Sequence, residues 1–176
     1  QIDDLRYFKV QGRINARTSK NLLISILAGV SLHKLGDLFS NHVCVRAVPN
    51  APVLVSAGLT GLSWGNDLSN EQRNQTLELF KPISKTVELP EKQLDAFLAL
   101  TSSGPAFLAL IVEAISDGAV AAGLPRHLAC EFAKDTLIGT GHLLKEKDLH
   151  PGELKDMVAS PGGTTITGLR ALENAG

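Results

Sequence analysis

The sequence predicts the tail of an α/β domain followed by an all-α region, and three observations carry that division. Before Pro90, β-type apolar runs alternate with amphipathic stretches; beyond it every patterned segment has helical spacing; and Pro105, Pro125 and Pro151 each stand where a helix would open. The expected domains are residues 1–90, an α/β part, and residues 91–176, a helical part.

Leu22, Leu23, Ile24, Ser25, Ile26 and Leu27 form an apolar run halted by Ala28 and Gly29, the pattern of a strand over residues 21–30 buried on both faces. Ser31 then precedes Leu32, Leu35, Leu38 and Phe39, whose spacing suits a short amphipathic helix with Ser31 as N-cap. A second strand is expected over residues 42–47. Strand, crossover helix and strand make a βαβ unit, which favours a parallel layer. Pro49, Asn50, Ala51 and Pro52 end it. Residues 53–64 read as further strand, 70–80 as a helix opened by Ser69, and 85–89 as a short edge strand.

The helical half comprises residues 93–100, 105–122, 125–145, 151–158 and 165–173, with the three prolines at N1, where a missing N–H costs nothing. In the helix after Pro105, an apolar stripe runs through Phe107, Leu110, Ile111, Ala114, Ile115, Gly118, Ala119 and Ala122, while Glu113, Ser116 and Asp117 lie off it. Such a stripe suits either a second chain or an ordinary core within this one.

The 176 residues are 44% hydrophobic and 20% charged with a formal charge of −1, so no basic field attracts a phosphate backbone and nucleic acid is not an expected partner. Cys44 and Cys130 lack the close spacing of a metal knuckle or redox pair and are expected to be buried thiols in a reducing compartment. Residues 1–20 show no apolar run of a secretory leader, and Gln at position 1 suggests a processed or trimmed product. The longest apolar stretch, residues 105–112, falls short of the ~20 needed to cross a bilayer, which predicts no membrane association and a cytoplasmic or organelle-matrix setting.

Chemistry concentrates in Ser160, Pro161, Gly162, Gly163, Thr164 and Thr165, between two helices. Successive backbone N–H groups ahead of a helix make an anion site, to which the hydroxyls of Ser160, Thr164 and Thr165 add donors. The same segment reads equally as a plain connection in which Thr164 or Thr165 is an N-cap. A second candidate, Arg46 to Pro52, leaves the carboxyl end of a strand, so that Asn50 and the turn at Ile26, Leu27, Ala28 and Gly29 would face a ligand cleft; Asn50 is also an ordinary turn former. The third, Thr101 to Pro105, is either a hydroxyl-rich loop or a capping turn. The five histidines show no HExxH or HxxxH pairing, which gives no support for a metal, and Glu113 and Asp117 read as solvated groups rather than an acid/base dyad. No GxGxxG follows a strand, so a dinucleotide-binding half is absent from this sequence.

Taken in order, these motifs resemble the pyrroline-5-carboxylate reductase family. The likeness is carried by residues 23–32, Arg46 to Pro52, Ser103-Gly104-Pro105-Ala106-Phe107, Gly123-Leu124-Pro125, residues 150–156, and the run from Val158 through Ser160-Pro161-Gly162-Gly163-Thr164-Thr165 to Leu169. The resemblance implies that residues 1–90 are the C-terminal part of a Rossmann-like dinucleotide-binding domain and residues 91–176 a dimerisation and substrate-binding domain, in a homodimer or a higher assembly built from dimers. It implies hydride transfer from NADPH or NADH to the C=N carbon of 1-pyrroline-5-carboxylate, giving L-proline, with little acid/base machinery because the imine can arrive protonated. It further implies that Ser160 and the N–H groups of Gly162, Gly163 and Thr164 hold the substrate carboxylate, that the Thr165 hydroxyl bonds the ring nitrogen as the catalytic contact, that Asp148 is a substrate-side acid, and that Ile26, Leu27, Ala28 and Asn50 line the nicotinamide end of the cofactor cleft.

Ala51 and Ser102 depart from the family's usual Thr and Gly, and residues 1–20 match no part of it. Two other readings are a non-catalytic reductase-like module that only dimerises and a β-hydroxyacid dehydrogenase relative. The second expects a Lys-x-x-Asn on the first interdomain helix, and none follows Pro90.

Overall fold

A computed structural model describes residues 20–175, so the expectations for residues 1–19 lie outside the described residues. The chain divides into two compact units, one ending at Pro105 and the other beginning at Ala106.

The first unit holds a four-stranded sheet in the order β1 (Asn21–Ser25), β2 (His42–Pro49), β3 (Gly58–Trp64), β4 (Ser84–Glu88). β1 and β2 are parallel, as a βαβ unit requires, but β3 runs antiparallel to β2, and β4 parallel to β3, so the sheet is mixed. The crossover helix α1 (Leu32–Leu38) begins where expected because the Ser31 hydroxyl accepts from the Lys34 N–H. Helix α2 (Asn70–Phe80) opens on a full capping box: Ser69 accepts from Gln72 N–H, and the Gln72 side chain returns to the Ser69 N–H. α3 (Leu94–Thr101) follows a single 3₁₀ turn, Glu91–Gln93.

Two strand expectations are corrected. β1 stops at Ser25 and is only half-buried, because among the described residues it pairs on one side, with β2. Residues 53–64 are not one strand: Ala51–Val55 is a 3₁₀ helix started by Pro52, and the chain reverses through Ser56 at φ 56° before β3 begins. The core lies on both sheet faces. Val45, Ala47, Leu62 and Phe80 pack with Leu22, Ile24 and Leu77 under α2, while Val30, Leu35 and Cys44 pack with Leu23 and Phe39 under α1. α3 lies against β3 because residue 61 is glycine; a Cβ there would stand 2.8 Å from the Phe97 ring.

The second unit contains most of α4 (Gly104–Ala121) together with α5 (Arg126–Glu146), α6 (Pro151–Val158) and α7 (Thr164–Asn174). Pro151 is at N1 as expected, but Pro125 is an N-cap and Pro105 follows the first residue of α4. The residues buried in α4 and α5 are small: Ser116, Ala129 and Ala133. Among the described residues the apolar stripe of α4 is largely uncovered, with Phe107 63% and Leu110 67% exposed and Ile111 and Ile115 about half exposed.

The helical stretch Glu91–Ala121, 31 residues, is by length and composition one that could cross a bilayer. Ser, Thr, Gly and Ala break up the apolar runs in the sequence without adding charge, so the uncharged helical length exceeds the run at 105–112.

Candidate functional site

Because β1 and β2 are parallel, their carboxyl ends share one end of the sheet, and the chain leaves there as residues 26–29 and as Asn50. Ile26, Leu27, Ala28 and Gly29 are all exposed, Ile26 at 64%, and form an apolar ledge beyond β1. Gly29 turns at φ +73°, and the loop's own restraint is weak: Leu27 N–H reaches the Ser25 hydroxyl at 3.4 Å.

Asn50 joins this end of the sheet, with both polar atoms of its side chain hydrogen-bonded. Its Oδ1 accepts from Leu59 N–H at 2.8 Å and its Nδ2 donates to the Thr101 carbonyl at 3.1 Å. It precedes the 3₁₀ turn without capping it. The amide thus clips the end of β2 to the start of β3 and to the last turn of α3. Asn50→Asp keeps the acceptor and removes the donor, leaving a carboxylate facing a carbonyl, and is expected to cost about 1–3 kcal/mol of stability in urea unfolding. An unchanged midpoint would discard the clip.

Sequence reading noted Arg46 only as part of a motif. Its guanidinium is buried and Nη1 donates to Glu91 Oε1 at 3.0 Å; the same oxygen accepts from Leu32 N–H at 2.7 Å. Glu91 was missed, and no local signal marks a partner 59 residues away. Burial pushes the Cys44 thiol up, partly opposed by Lys20, and Cys130 is half-buried rather than buried. A groove of about 850 Å³ beside α1, lined by Leu32, His33, Cys44, Ser63, Trp64 and Glu91 among others, contains none of the predicted site residues.

In the second unit, residues 160–165 make a tight turn into α7. Gly162 sits at φ +67°, a conformation that glycine adopts without strain, and Gly163 N–H donates to the Ser160 carbonyl at 3.0 Å. The N-cap is Gly163, not Thr164 or Thr165, and with no side chain it leaves the opening N–H groups of α7 uncapped. Thr164 and Thr165 are the first two helical residues; Ser160, Gly162 and Thr164 are exposed and Thr165 is half-buried. The Ser160 hydroxyl lies against Gly163, where a Cβ would otherwise stand. The two helices that flank the turn are tied by Lys155 Nζ to Glu173 Oε1 at 2.8 Å, which raises the lysine pKa and lowers that of the glutamate. Of the three amides expected to meet an anion, that of Gly163 is engaged in the turn. What remains is a helix N-terminus with free donors, partial positive charge and adjacent hydroxyls, which can hold a carboxylate.

Asp148 has a backbone role. At φ +50° it occupies the left-handed position after α5, and Leu149 N–H reaches back to the Leu144 carbonyl, the closure of a Schellman turn. Asp148→Gly is expected to raise stability by about 1 kcal/mol by relieving that strain. If turnover fell in the same variant, Asp148 would be a substrate contact; constant turnover assigns it to the turn. The predicted residues therefore fall into two groups, the sheet-end group of the first unit and residues 148 and 160–165 of the second.

Residues 91–176 match the family described as pyrroline-5-carboxylate reductase dimerisation. Over 168 residues the chain is 42% identical to a pyrroline-5-carboxylate reductase of Synechocystis, covering 96% of this chain and 63% of the relative. Its fold is similar to a Plasmodium falciparum pyrroline carboxylate reductase solved with NADP bound, with TM-score 0.82 and 32% identity over 88% of this chain and 62% of that one. It is similar also to the 1-pyrroline-5-carboxylate reductase of Streptococcus pyogenes, with TM-score 0.83 and 32% identity over 88% of this chain and 60% of that one. The chain thus spans a little under two thirds of the length of these relatives. With a sheet end that carries an apolar ledge and an uncapped helix start shaped by Pro161 and Gly162, residues 91–176 carry the pyrroline-5-carboxylate reductase dimerisation match, and the chain is similar to these reductases along nearly all of its length.

Proposed function

We propose that the protein reduces 1-pyrroline-5-carboxylate to L-proline with NADPH or NADH, in proline biosynthesis, and does so as a homodimer or an assembly of dimers. The observation that carries this is the start of α7, where uncapped amides and the hydroxyls of Ser160, Thr164 and Thr165 surround a turn that Gly162 alone can make without strain. A carboxylate held there by the Thr164 amide and the Ser160 hydroxyl fixes one side of a small ring, and Thr165, one residue into the helix, then offers its hydroxyl to the ring nitrogen. No side-chain acid is needed where the imine arrives protonated, so the chain's own task is orientation and exclusion of competing geometries. The bound dinucleotide supplies the hydride. Exposed Ile26, Leu27 and Ala28 suit the flat, weakly polar ring end of that cofactor, and Asn50 acts there by holding the strand ends in place rather than by contact.

What α4 leaves open supports the dimer. Phe107, Leu110, Ile111 and Ile115 are exposed in the single chain, and a shallow apolar groove of about 620 Å³ between α5 and α6, with Leu143, Leu154 and Val158 in its wall, adds to the uncovered surface. A second copy covers such a face with the same residues. Its match to a dimerisation family favours a protein partner over a bilayer for the stretch Glu91–Ala121. A reducing setting such as the cytoplasm suits the free thiols of Cys44 and Cys130.

The test is to add 1-pyrroline-5-carboxylate and reduced dinucleotide to the protein that contains this sequence, following loss of the reduced-nicotinamide absorbance and assaying L-proline. Proline formed in step with dinucleotide oxidation supports the reading. Dinucleotide binding without turnover on any cyclic imine would overturn it.

A further inference from the structure

We infer that Glu91 is a positioning residue for the proposed reduction, acting through the β1–α1 loop that presents residues 26–28 to the dinucleotide; this rests on the function proposed above. The loop holds itself poorly, since its one internal side-chain bond is the 3.4 Å contact from Leu27 N–H to the Ser25 hydroxyl. Its position is therefore set by its ends. At one end Ser25 is registered on Arg46 of β2. At the other, Val30 is buried and the chain enters α1, which has seven residues and is too short to be stable on its own.

Glu91 supplies the missing restraint. Its Oε1 accepts the first amide of α1, Leu32 N–H, at 2.7 Å, a charge-assisted bond to one of the N–H groups that no helix can satisfy internally. The same oxygen is held by Arg46 Nη1 at 3.0 Å, and the Arg46 side chain is 6% exposed. Asp95 lies 3.5 Å from Nη2 but is mostly in solvent, and Nε and Nη2 make no hydrogen bond among the described residues, so Glu91 is the main counter-charge of a buried cation. One carboxylate therefore ties three segments: the exit of the ledge loop, the strand β2 that leads to Asn50, and the 3₁₀ turn that leads into α3. Two functions of that oxygen can be separated, because glutamine retains an acceptor for Leu32 but no charge for Arg46.

Amide exchange on this chain reads the anchor without reference to activity. Glu91→Ala is expected to speed exchange at Leu32 by about tenfold or more, and Glu91→Gln to leave it within about threefold of the parent while lowering the melting temperature. Should Glu91→Ala fail to fold, Arg46→Met combined with Glu91→Gln removes the buried charge and retains the acceptor, and protection of Leu32 is expected to persist. In the protein that contains this sequence, KM for the dinucleotide is expected to rise about tenfold in Glu91→Ala and to recover in Glu91→Gln, with KM for the imine unchanged. Unchanged exchange at Leu32 in Glu91→Ala would overturn the anchor. A dinucleotide KM that followed melting temperature through both variants would reduce Glu91 to a stability role. Failure of the unsubstituted protein to reduce the imine would instead sink the functional reading, and with it the positioning role, while the exchange result still decided the anchor.

Discussion

Ile111→Glu combined with Ile115→Glu is expected to convert the proposed dimer into monomers. The two side chains are one helical turn apart on α4 and about half exposed in the single chain, so a carboxylate at either position can reach solvent and disturbs the chain's own packing little. In the dimer both would be covered, and each carboxylate would lose its hydration without gaining a partner. At several kcal/mol per buried unpaired charge, the dissociation constant should rise at least about a thousandfold. Sedimentation equilibrium at micromolar concentration would show the monomer mass with an unaltered circular dichroism spectrum. An unchanged dimer mass would remove α4 from the interface. If the parent chain instead sedimented with lipid vesicles and the variant did not, the stretch Glu91–Ala121 would be a membrane segment rather than a protein-covered one.

That face was legible in the sequence as a stripe, but its exposure was not. Helical periodicity tells which residues share a face, and the choice between an inner core and a partner depends on what the other helices bury. Here α4 and α5 bury Ser116, Ala129 and Ala133, small residues that allow close approach, and the large apolar ones are left over. The helices with local caps were the most readable elements, because Ser31 and Ser69 act within three residues of themselves. The strands were less so. Ile26 and Leu27 continue the composition of β1 yet lie in solvent, and Val53, Leu54 and Val55 look like strand residues yet form a 3₁₀ turn with Leu54 87% exposed. Hydrophobicity alone cannot report that a turn at Ser56 has reversed the chain and made β3 antiparallel.

The site divides in the same way. Residues 160–165 were readable because proline and glycine dictate backbone geometry locally, and Gly162 does adopt the left-handed conformation its neighbours could not easily reach. Asp148 was noticed as a charge, but what the fold uses is its backbone at the end of α5. The sequence suggested that Asn50 faces a ligand, but its amide oxygen and nitrogen bond Leu59 and Thr101, nine and 51 residues away. Distances of that kind along the chain carry no periodic signal, and Glu91 was invisible for the same reason.

Thr165 is where the proposed chemistry is most exposed to test. It is the second residue of α7, half-buried, and alanine is a better helix former there, so Thr165→Ala should leave folding and dimer mass intact. If its hydroxyl bonds the ring nitrogen as the C=N bond becomes C–N, the interaction is stronger in the transition state than in the bound imine. Its loss should then fall on kcat as well as kcat/KM, by about a hundredfold, or roughly 2.7 kcal/mol. Thr165→Val, which preserves the shape, should lose as much activity as alanine, and Thr165→Ser should recover most of it. A valine variant with the parent's kcat would show that the side chain only fills space, and the ring nitrogen would then have to be met by solvent or by the amides of the turn.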